Sequence, residues 1–379
     1  MLSKIELSGF EEFLSHVELL SNTEIYKTMD TVKERLKFLL SDEYIKNKIL
    51  WILPKIIDVS DKLGLSSKEG KVYALSFPEI DSSIHLKTPI FAGLFLLQVI
   101  NGKISNKTKT ITEAGGINTG YGLKKIIDIF NLKGKFYTSR YLPEELFCDI
   151  SSENMEIIKS KENNALGIEE EFYMEFVQSF KKLRLNGDIA PLWHVKNSFI
   201  IAEILAEDIL ENNPHMLDNI DSYVSGVGSG ASLSILSKLK EHTNKNIEII
   251  IAEHEKTPIF WNTSTRNELD ELETNTSHEI LKTHFIDVKN KRIPHIVYGP
   301  HYEKINNKIP SKYLEKISGV SLYSDNEWKD ISITLEKEGM LIGNSSAANL
   351  AIAKKIALTG KNSLTFIYET KRDYIRKQK

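Results

Sequence analysis

The sequence has 379 residues, of which 41% are hydrophobic and 27% charged, with a formal net charge of −3. This composition is usual for a soluble globular protein with one large or two ordinary domains. The slightly negative charge argues against a general nucleic-acid binder, which carries a basic face. The single cysteine, Cys148, excludes an intramolecular disulfide and a cysteine zinc site and fits a reducing cytoplasm. Its setting, EELFCDI, favours a small buried apolar residue over a nucleophile.

The start of the chain, MLSKIELSGFEEFLSH, lacks the basic and apolar regions of a signal peptide. The most apolar run, residues 89–100, is too short to span a bilayer and predicts a buried helix. We therefore expect a cytoplasmic protein with neither a membrane nor a nucleic acid as its partner.

Residues 1 to about 70 carry apolar side chains at helical spacing and almost no glycine, which predicts a helical extension. Pro54 falls inside the second helical pattern and is expected to kink or split it. From residue 71 onward, short apolar runs alternate with amphipathic segments, which predicts an α/β protein with mainly parallel sheets. Strands are predicted at 71–77, 108–115, 134–142, 221–228, 247–255 and 363–369, and helices at 85–100, 118–130, 162–185, 232–242, 331–339 and 347–358.

The segment SGVGSGASL, residues 225–233, follows a short β-type run and precedes an amphipathic helix. A glycine turn that opens into a helix can cradle a phosphate, because backbone N–H groups and the positive helix end point at the turn. Gly226, Gly228 and Ala231 satisfy the dinucleotide pattern G-x-G-x-x-[GA], and Glu253 lies 22 residues after Ala231. No G-x-x-x-x-G-K-[ST] is present, so a P-loop is excluded. A cup for one phosphate monoester and a turn without a ligand are the remaining alternatives.

Three other segments bear on that choice. Lys87 follows two serines at the start of the apolar helix in SSIHLKTP, where a surface lysine is the usual interpretation. Asn118 lies at a glycine-rich strand-to-helix turn in TEAGGINTGYGL, where a helix N-cap is the simplest role. Ser345 and Ser346 begin another helix in GMLIGNSSAANLAIA, again as caps by default.

In this order, the four segments resemble the fold type II pyridoxal phosphate enzymes, specifically the cysteine synthase/cystathionine β-synthase family. Lys87 lies 31 residues before Asn118, EAGGINTG stands for the family's TSGNTG loop, GVGSGAS for its phosphate loop and LIGNSSAA for its late turn. The resemblance runs from about residue 78 to residue 374 and excludes the N-terminal extension. It outweighs the dinucleotide interpretation of the glycine turn.

The resemblance implies two three-layer α/β domains of the tryptophan synthase β type, one at 71–205 with the lysine and asparagine segments, the other at 206–379. It implies that Lys87 forms an imine with pyridoxal 5'-phosphate and later removes the substrate's α-proton. Asn118 matches the residue that binds the ring oxygen, and Ser345, with Ser346 as second choice, the residue that faces the ring nitrogen. The phosphate cup corresponds to Gly228, Ser229, Gly230, Ala231 and Ser232.

A serine at the ring nitrogen makes the cofactor a weaker electron sink than an aspartate would, which favours loss of a β-substituent. The expected reaction is β-replacement or β-elimination on an amino acid with a β-leaving group, through an α-aminoacrylate. A serine/threonine deaminase-like lyase and a non-catalytic protein of this fold with a binding or regulatory role remain alternatives. Members of this family are commonly dimers, so the resemblance predicts a homodimer.

The expected substrate-carboxylate loop departs from the family pattern. Gly115, Gly116 and Ile117 stand where the family has Thr-Ser-Gly, so two hydroxyl donors are lost, while Thr119 and backbone N–H groups remain. A non-standard amino acid is therefore expected as substrate. His85, His194 and His301 lie near the motifs without an assigned role, and Tyr302 accompanies His301. No ligand spacing for a metal is present.

Overall fold

The computed structural model describes residues 2–80, 84–138, 147–148, 150–159, 176–180, 188–243, 245–261, 297 and 309–370. The strands in chain order are β1 (Lys55–Asp58), β2 (Val72–Ser76), β3 (Thr110–Ala114), β4 (Lys133–Thr138), β5 (Met155–Lys159), β6 (Ile189–Pro191), β7 (Ser222–Ser225), β8 (Glu248–His254), β9 (Gly319–Tyr323) and β10 (Ser363–Ile367).

The named α-helices are α1 (Leu2–Ser21), α2 (Glu24–Lys27), α3 (Val32–Leu40), α4 (Glu43–Ile49), α5 (Lys87–Ile100), α6 (Ile117–Phe130), α7 (His194–Asn212), α8 (Ala231–Glu241), α9 (Ser311–Leu314), α10 (Asp325–Lys337) and α11 (Asn344–Ala357). Residues 176–180 are also helical. Asp61–Leu63 forms a single 3₁₀ turn.

The chain divides into two compact units. The first contains Met1–Leu53 and His85–Asp208, and the second contains Pro54–Ile84 and Ile209–Lys379. In the first unit, four parallel strands form a sheet in the order β5-β4-β3-β6. In the second unit, six strands form a sheet in the order β1-β2-β10-β7-β8-β9, in which only the β1–β2 pair is antiparallel. The α/β class with mainly parallel sheets, predicted from the alternating pattern, is confirmed.

The elements around the motifs form where they are predicted. Strands β2, β3, β4, β7, β8 and β10 and helices α5, α6, α8, α10 and α11 overlap the predicted segments. The helix predicted at 162–185 lies outside the described residues, apart from residues 176–180, which are helical. No described helix is long and apolar enough to cross a membrane.

The prediction of helix throughout residues 1–70 is wrong after Ile49. Helix α4 ends there, because Leu50 takes a left-handed conformation with φ of 59°. Pro54 stands just before β1, where it cannot donate a ladder hydrogen bond. Ile56 and Ile57 then pair with Leu75 and Ala74 of β2. β-Branched side chains suit this pairing, so the apolar run after Pro54 forms a strand rather than a helix.

The division of the chain differs from the sequence-based boundary at residue 71. Strand β2 pairs in parallel with β10 along its whole length, from Val72 opposite Ser363 to Ser76 opposite Ile367. Its backbone hydrogen bonds therefore belong to the sheet of the second unit, and Pro54–Ile84 is grouped there. The end of the first unit at Asp208 lies close to the predicted boundary near residue 205.

The N-terminal helices are part of the core of the first unit. Phe13 of α1 is fully buried, and its ring centroid lies 5.0 Å from that of Phe130 in α6 and 6.0 Å from that of Phe95 in α5. Phe95 and Phe130 stack with centroids 4.7 Å apart. Aromatic pairs at such distances add to the free energy gained by burial alone, so α1 is held on α5 and α6.

One prediction about burial is also wrong. Cys148 is exposed to solvent rather than buried, while the flanking Phe147 and Ile150 are buried. The apolar neighbours that suggested burial thus fill the core themselves and leave the thiol outside.

We expect Phe13→Ala to lower the free energy of unfolding of the first unit by about 3–5 kcal/mol, because it removes a buried aromatic ring and leaves a cavity. Leu19→Ala is the matched control on the same helix, since Leu19 is 66% exposed, and a change within about 0.5 kcal/mol is expected. Denaturant unfolding followed by tryptophan fluorescence measures both. Equal effects of the two substitutions would contradict the packing of α1 described above.

Candidate active site

Lys87 is the first residue of helix α5, in the first unit. Every residue from Thr88 to Gln98 of this helix is buried, and the Lys87 side chain is half-buried. Desolvation lowers the pKa of its amine to about 8, against the opposing negative charge of Glu113. A lysine in this state is partly neutral near physiological pH and is available as a nucleophile.

His85 shapes the turn that leads into α5. It is 4% exposed, and its Nδ1 accepts a hydrogen bond of 2.8 Å from the backbone N–H of Lys87. The side chain therefore satisfies one of the first N–H groups of the helix, which have no intrahelical partner. This gives a structural role to a histidine that the sequence left unassigned.

The loop from Gly115 to Thr119 connects β3 to α6. Gly116 is the N-cap of α6, with φ of −75° and ψ of 177°, so the simple N-cap role for Asn118 is wrong. Asn118 is half-buried in the first turn of the helix, and Thr119 is buried. A Cβ atom at Gly115 would lie 2.7 Å from Thr119 Oγ1. The missing side chain at 115 therefore provides the space that the Thr119 side chain occupies.

Lys87 and the first turns of α6 lie at the same end of the first unit. A Cβ atom at Gly122, in the second turn of α6, would lie 3.1 Å from the backbone O of Lys87 and 2.7 Å from Cδ2 of Phe91. The two helices therefore touch where one carries Lys87 and the other has just passed Asn118. The start of α5, with Lys87, thus lies beside the second turn of α6, which follows the turn that contains Asn118.

Glu113 and His194 form a buried pair that the sequence analysis missed. Both side chains are fully buried, and Glu113 Oε1 lies 3.4 Å from His194 Nδ1. The carboxylate also accepts backbone N–H groups, from Ala114 at 2.9 Å and from His194 at 3.0 Å. Burial lowers the pKa of His194, and the positive charge of Lys87 lowers it further, while Glu113 raises it. The available signal was a charged residue inside the short predicted strand TITEA.

The glycine turn belongs to the second unit, between β7 and α8. Gly230 is the N-cap of α8 with φ of 92°, a backbone conformation that favours glycine. Ser229 and Ser232 are 9% and 7% exposed, and the Ser232 hydroxyl donates to the Gly226 carbonyl over 3.2 Å. The first N–H groups of α8, including those of Ala231 and Ser232, have no intrahelical acceptors and can bind an anion.

Helix α11 supports the glycine turn. Asn349 Oδ1 accepts a 2.8 Å hydrogen bond from the Gly226 N–H. Ser346 is fully buried, and its Oγ accepts the Tyr368 N–H over 2.9 Å. Ser345 is half-buried in the first helical turn. The cap role is wrong for both serines, since Gly343 is the N-cap of α11, and Ser345 is the better candidate for a ligand contact.

Glu253 does not serve the dinucleotide alternative. Its buried carboxylate accepts the backbone N–H groups of Phe260 at 2.8 Å and Trp261 at 2.9 Å. Burial raises its pKa to about 7 despite these hydrogen bonds. The acidic residue that completed the dinucleotide pattern is thus engaged in holding the chain that follows β8.

Two other features of the sequence have less support in the structure. His301 and Tyr302 lie outside the described residues. Among the residues that the structure describes, no group of three histidine, cysteine, aspartate or glutamate side chains could hold a metal ion.

Known structures share this fold. A hydrogen sulfide-producing enzyme from Fusobacterium nucleatum is 19% identical with a TM-score of 0.63, over 86% of this chain and 97% of its own. An O-acetylserine dependent cystathionine beta-synthase from Helicobacter pylori is 20% identical with a TM-score of 0.58, over 88% of this chain and 96% of its own. An O-ureido-L-serine synthase mutant with bound O-ureido-L-serine is 14% identical with a TM-score of 0.65, over 87% and 91%.

No protein-family model matches the sequence, and no curated protein sequence matches it. The likeness is therefore one of structure, and it defines the class of fold. The chain has the fold of the fold type II pyridoxal phosphate enzymes, as predicted from the four motifs.

We expect Gly115→Ser to lower the free energy of unfolding by about 1–3 kcal/mol, because the new Cβ would meet Thr119 in a packed interior. Gly116→Ser is the matched control: a Cβ there meets nothing within 4 Å, and serine is a favoured N-cap. The control is expected to leave the free energy of unfolding unchanged or to raise it. Thermal and denaturant unfolding compare the two, and equal losses would contradict the close packing of Gly115 on Thr119.

Proposed function

We propose that this protein is a pyridoxal phosphate-dependent transferase or lyase that acts on an amino acid carrying a β-leaving group. The observation that carries the proposal is Lys87. In a chain with this fold, a half-buried lysine at the start of a buried helix has an amine whose pKa is lowered to about 8. A lysine of this kind would hold the cofactor through its aldehyde group.

The residues present fit this cofactor. The turn from Gly228 to Ser232 offers helix N-terminal N–H groups and the buried Ser229 hydroxyl, which suit a single phosphate group, whereas the Ser232 hydroxyl donates to the Gly226 carbonyl. In our proposal, this turn holds the phosphate and Asn118 donates to the ring oxygen. Ser345, which is half-buried, faces the ring nitrogen, and the fully buried Ser346 remains the second choice.

Pyridoxal phosphate, when bound, supplies an electron-withdrawing ring that stabilises negative charge at the substrate's α-carbon. The protein would supply the rest. Lys87 takes the proton from the α-carbon, since its lowered pKa allows it to act as a base near neutral pH. The first turn of α6, with Thr119 and the backbone N–H groups of Gly116 and Ile117, receives the substrate's carboxylate. The Gly115 N–H, which we also expected there, donates instead to the Tyr137 carbonyl over 2.9 Å.

Support for the substrate class comes from the proteins of similar fold. Two of them are named for O-acetylserine and O-ureido-L-serine, which are both serines with a substituted β-oxygen. We propose the same class here: β-replacement, or β-elimination, on a β-substituted alanine. The loop sequence Gly115-Gly116-Ile117 lacks side-chain hydroxyls, which supports an unusual member of the class. The same resemblance leads us to propose a cytoplasmic homodimer.

We expect the apo-protein to bind added pyridoxal phosphate with the visible absorbance of an imine, and Lys87→Ala to abolish that band. The initial rate of imine formation should rise with pH and level off above about 8, because only the neutral amine attacks and the pKa of Lys87 is about 8. Lys103→Ala, at an exposed position of the same unit, is the control and should leave both the band and its pH dependence unchanged. A band that persists in Lys87→Ala would refute the role of Lys87.

Titration of the holoprotein with a panel of β-substituted alanines identifies the substrate class. We expect one or more members, O-acetylserine and O-ureido-L-serine included, to change the visible absorbance and to release the β-substituent. Release that requires a thiol or another nucleophile indicates β-replacement, whereas pyruvate and ammonia without a second substrate indicate a lyase. A holoprotein that turns over no member of the panel would contradict the enzymatic proposal and favour a binding or regulatory role.

A further inference from the structure

Burying the pair of Glu113 and His194 costs free energy when the chain folds. Each side chain is fully buried, and removing an ionised group from water costs several kcal/mol unless other contacts compensate. Glu113 is held by two backbone N–H groups, at 2.9 and 3.0 Å. Trp193, directly before His194, takes a left-handed conformation with φ of 56°. A non-glycine residue in that region of backbone conformation points to a local requirement, here the placement of His194 beside Glu113.

The imidazole of His194 has a second neighbour on its other nitrogen. Nε2 lies 3.5 Å from the hydroxyl oxygen of Thr119, and the ring of Phe91 lies against the imidazole with centroids 5.8 Å apart. Glu113 on β3, His194 on α7 and Thr119 on α6 thus form a row of three buried polar side chains. The row ends at the helix turn that we propose as the carboxylate site.

The protonation of the imidazole decides which way the Thr119 hydroxyl points. A carboxylate beside Nδ1 favours the proton on that nitrogen, and burial keeps the ring neutral by lowering its pKa. Nε2 of the neutral His194 ring then accepts a hydrogen bond from the Thr119 hydroxyl. The hydroxyl proton is used in that bond and cannot be donated to an anion. When Nε2 carries a proton it donates to Thr119, and the hydroxyl can turn toward a carboxylate.

The titratable groups that face His194 control this change. Glu113 favours the protonated ring, and the positive charge of Lys87 on α5 disfavours it. Desolvation by burial opposes protonation as well. A carboxylate bound at the first turn of α6 would add a negative charge beside Thr119 and shift the balance toward the protonated ring.

We propose that Glu113 and His194 are positioning residues: His194 takes up one proton from solvent at Nε2 when a carboxylate binds at the first turn of α6, and thereby turns the Thr119 hydroxyl toward that carboxylate. The inference rests on the proposed function for the identity of the carboxylate, which is that of the amino-acid substrate. Gly115 is part of the arrangement, because a side chain there would occupy the place of Thr119 Oγ1.

The first test uses the apo-protein, with no ligand. Side-chain ¹⁵N NMR should show His194 as the neutral ring with the proton on Nδ1 at pH 7, and Thr119→Val should shift the Nε2 resonance. Thr112→Val is the control: this buried hydroxyl, on β3, donates to the Lys135 carbonyl instead, and no shift is expected. A proton on Nε2, or an Nε2 resonance indifferent to Thr119→Val, would overturn the proposal.

The second test uses the holoprotein with L-alanine, which has an α-carboxylate and no β-leaving group, with binding read from the visible absorbance. His194→Gln presents an amide N–H at every pH and needs no proton from solvent. The ratio of the wild-type dissociation constant to that of this variant should therefore rise by up to about tenfold per pH unit between pH 6 and 8. A constant ratio would refute proton uptake at His194. Thr119→Val should abolish the same pH dependence, which keeps the test decisive where His194→Gln does not fold.

The two proposals fail in different ways. Failure of the holoprotein to form, or to bind L-alanine, contradicts the proposed function. The NMR spectra of the apo-protein then still test the hydrogen bond between His194 and Thr119. A holoprotein that binds L-alanine with a pH-independent ratio leaves the cofactor chemistry in place and removes the role of His194.

Discussion

The close contact of α5 with α6 is the constraint on which the first unit depends. Gly122 has no room for a side chain, because a Cβ atom would lie 2.7 Å from the Phe91 ring, so the helices approach more closely than two ordinary side chains permit. That approach puts Lys87 beside the first turns of α6 and presses Phe91 against the ring of His194. The positions of Lys87, of the first turns of α6 and of the His194 ring therefore depend on the absence of a side chain at Gly122.

The second unit depends on a comparable support behind the glycine turn. The N–H of Gly226 is held by Asn349, and Ser225 Oγ and the Tyr368 hydroxyl lie 2.9 Å apart. Helix α11 and the residue directly after β10 thus hold the end of β7 and the start of the turn in place. A loop supported in this way would lose less entropy on binding the phosphate that we propose for it.

Much of the fold was predictable, because alternating short apolar runs and amphipathic segments are the local signal of parallel α/β sheets. Lys87, Asn118 and the glycine turn were proposed as site residues from the resemblance of four motifs in order, and the structure places the start of α5 beside the second turn of α6. The strand β1 was missed because a short apolar run has no distinctive period, and its partner β2 lies further along the chain. Glu113 and His194 are 81 residues apart, and no local pattern pairs them.

The same limit explains the error at Cys148, whose apolar neighbours turn inward without it. Burial of a single side chain depends on the direction of the chain at that residue, which composition does not specify. The cofactor roles proposed for Ser345 and the phosphate turn rest on order in the sequence together with local geometry. The preference for Ser345 over Ser346 came from the resemblance, and the structure adds that Ser346 is fully buried and accepts the Tyr368 N–H.

The pairing of β2 with β10 has a consequence for how this chain folds during synthesis. β2 ends at Ser76, whereas its partner begins at Ser363, so the ribosome must make nearly the whole chain before that side of β2 is paired. The first unit has all of its residues by Asp208 and can fold earlier, since domains tend to fold as their sequences emerge. Until β10 has been synthesised, the edges of β2 and β7 that pair with it remain unpaired. Chaperones shield unpaired strand edges of this kind.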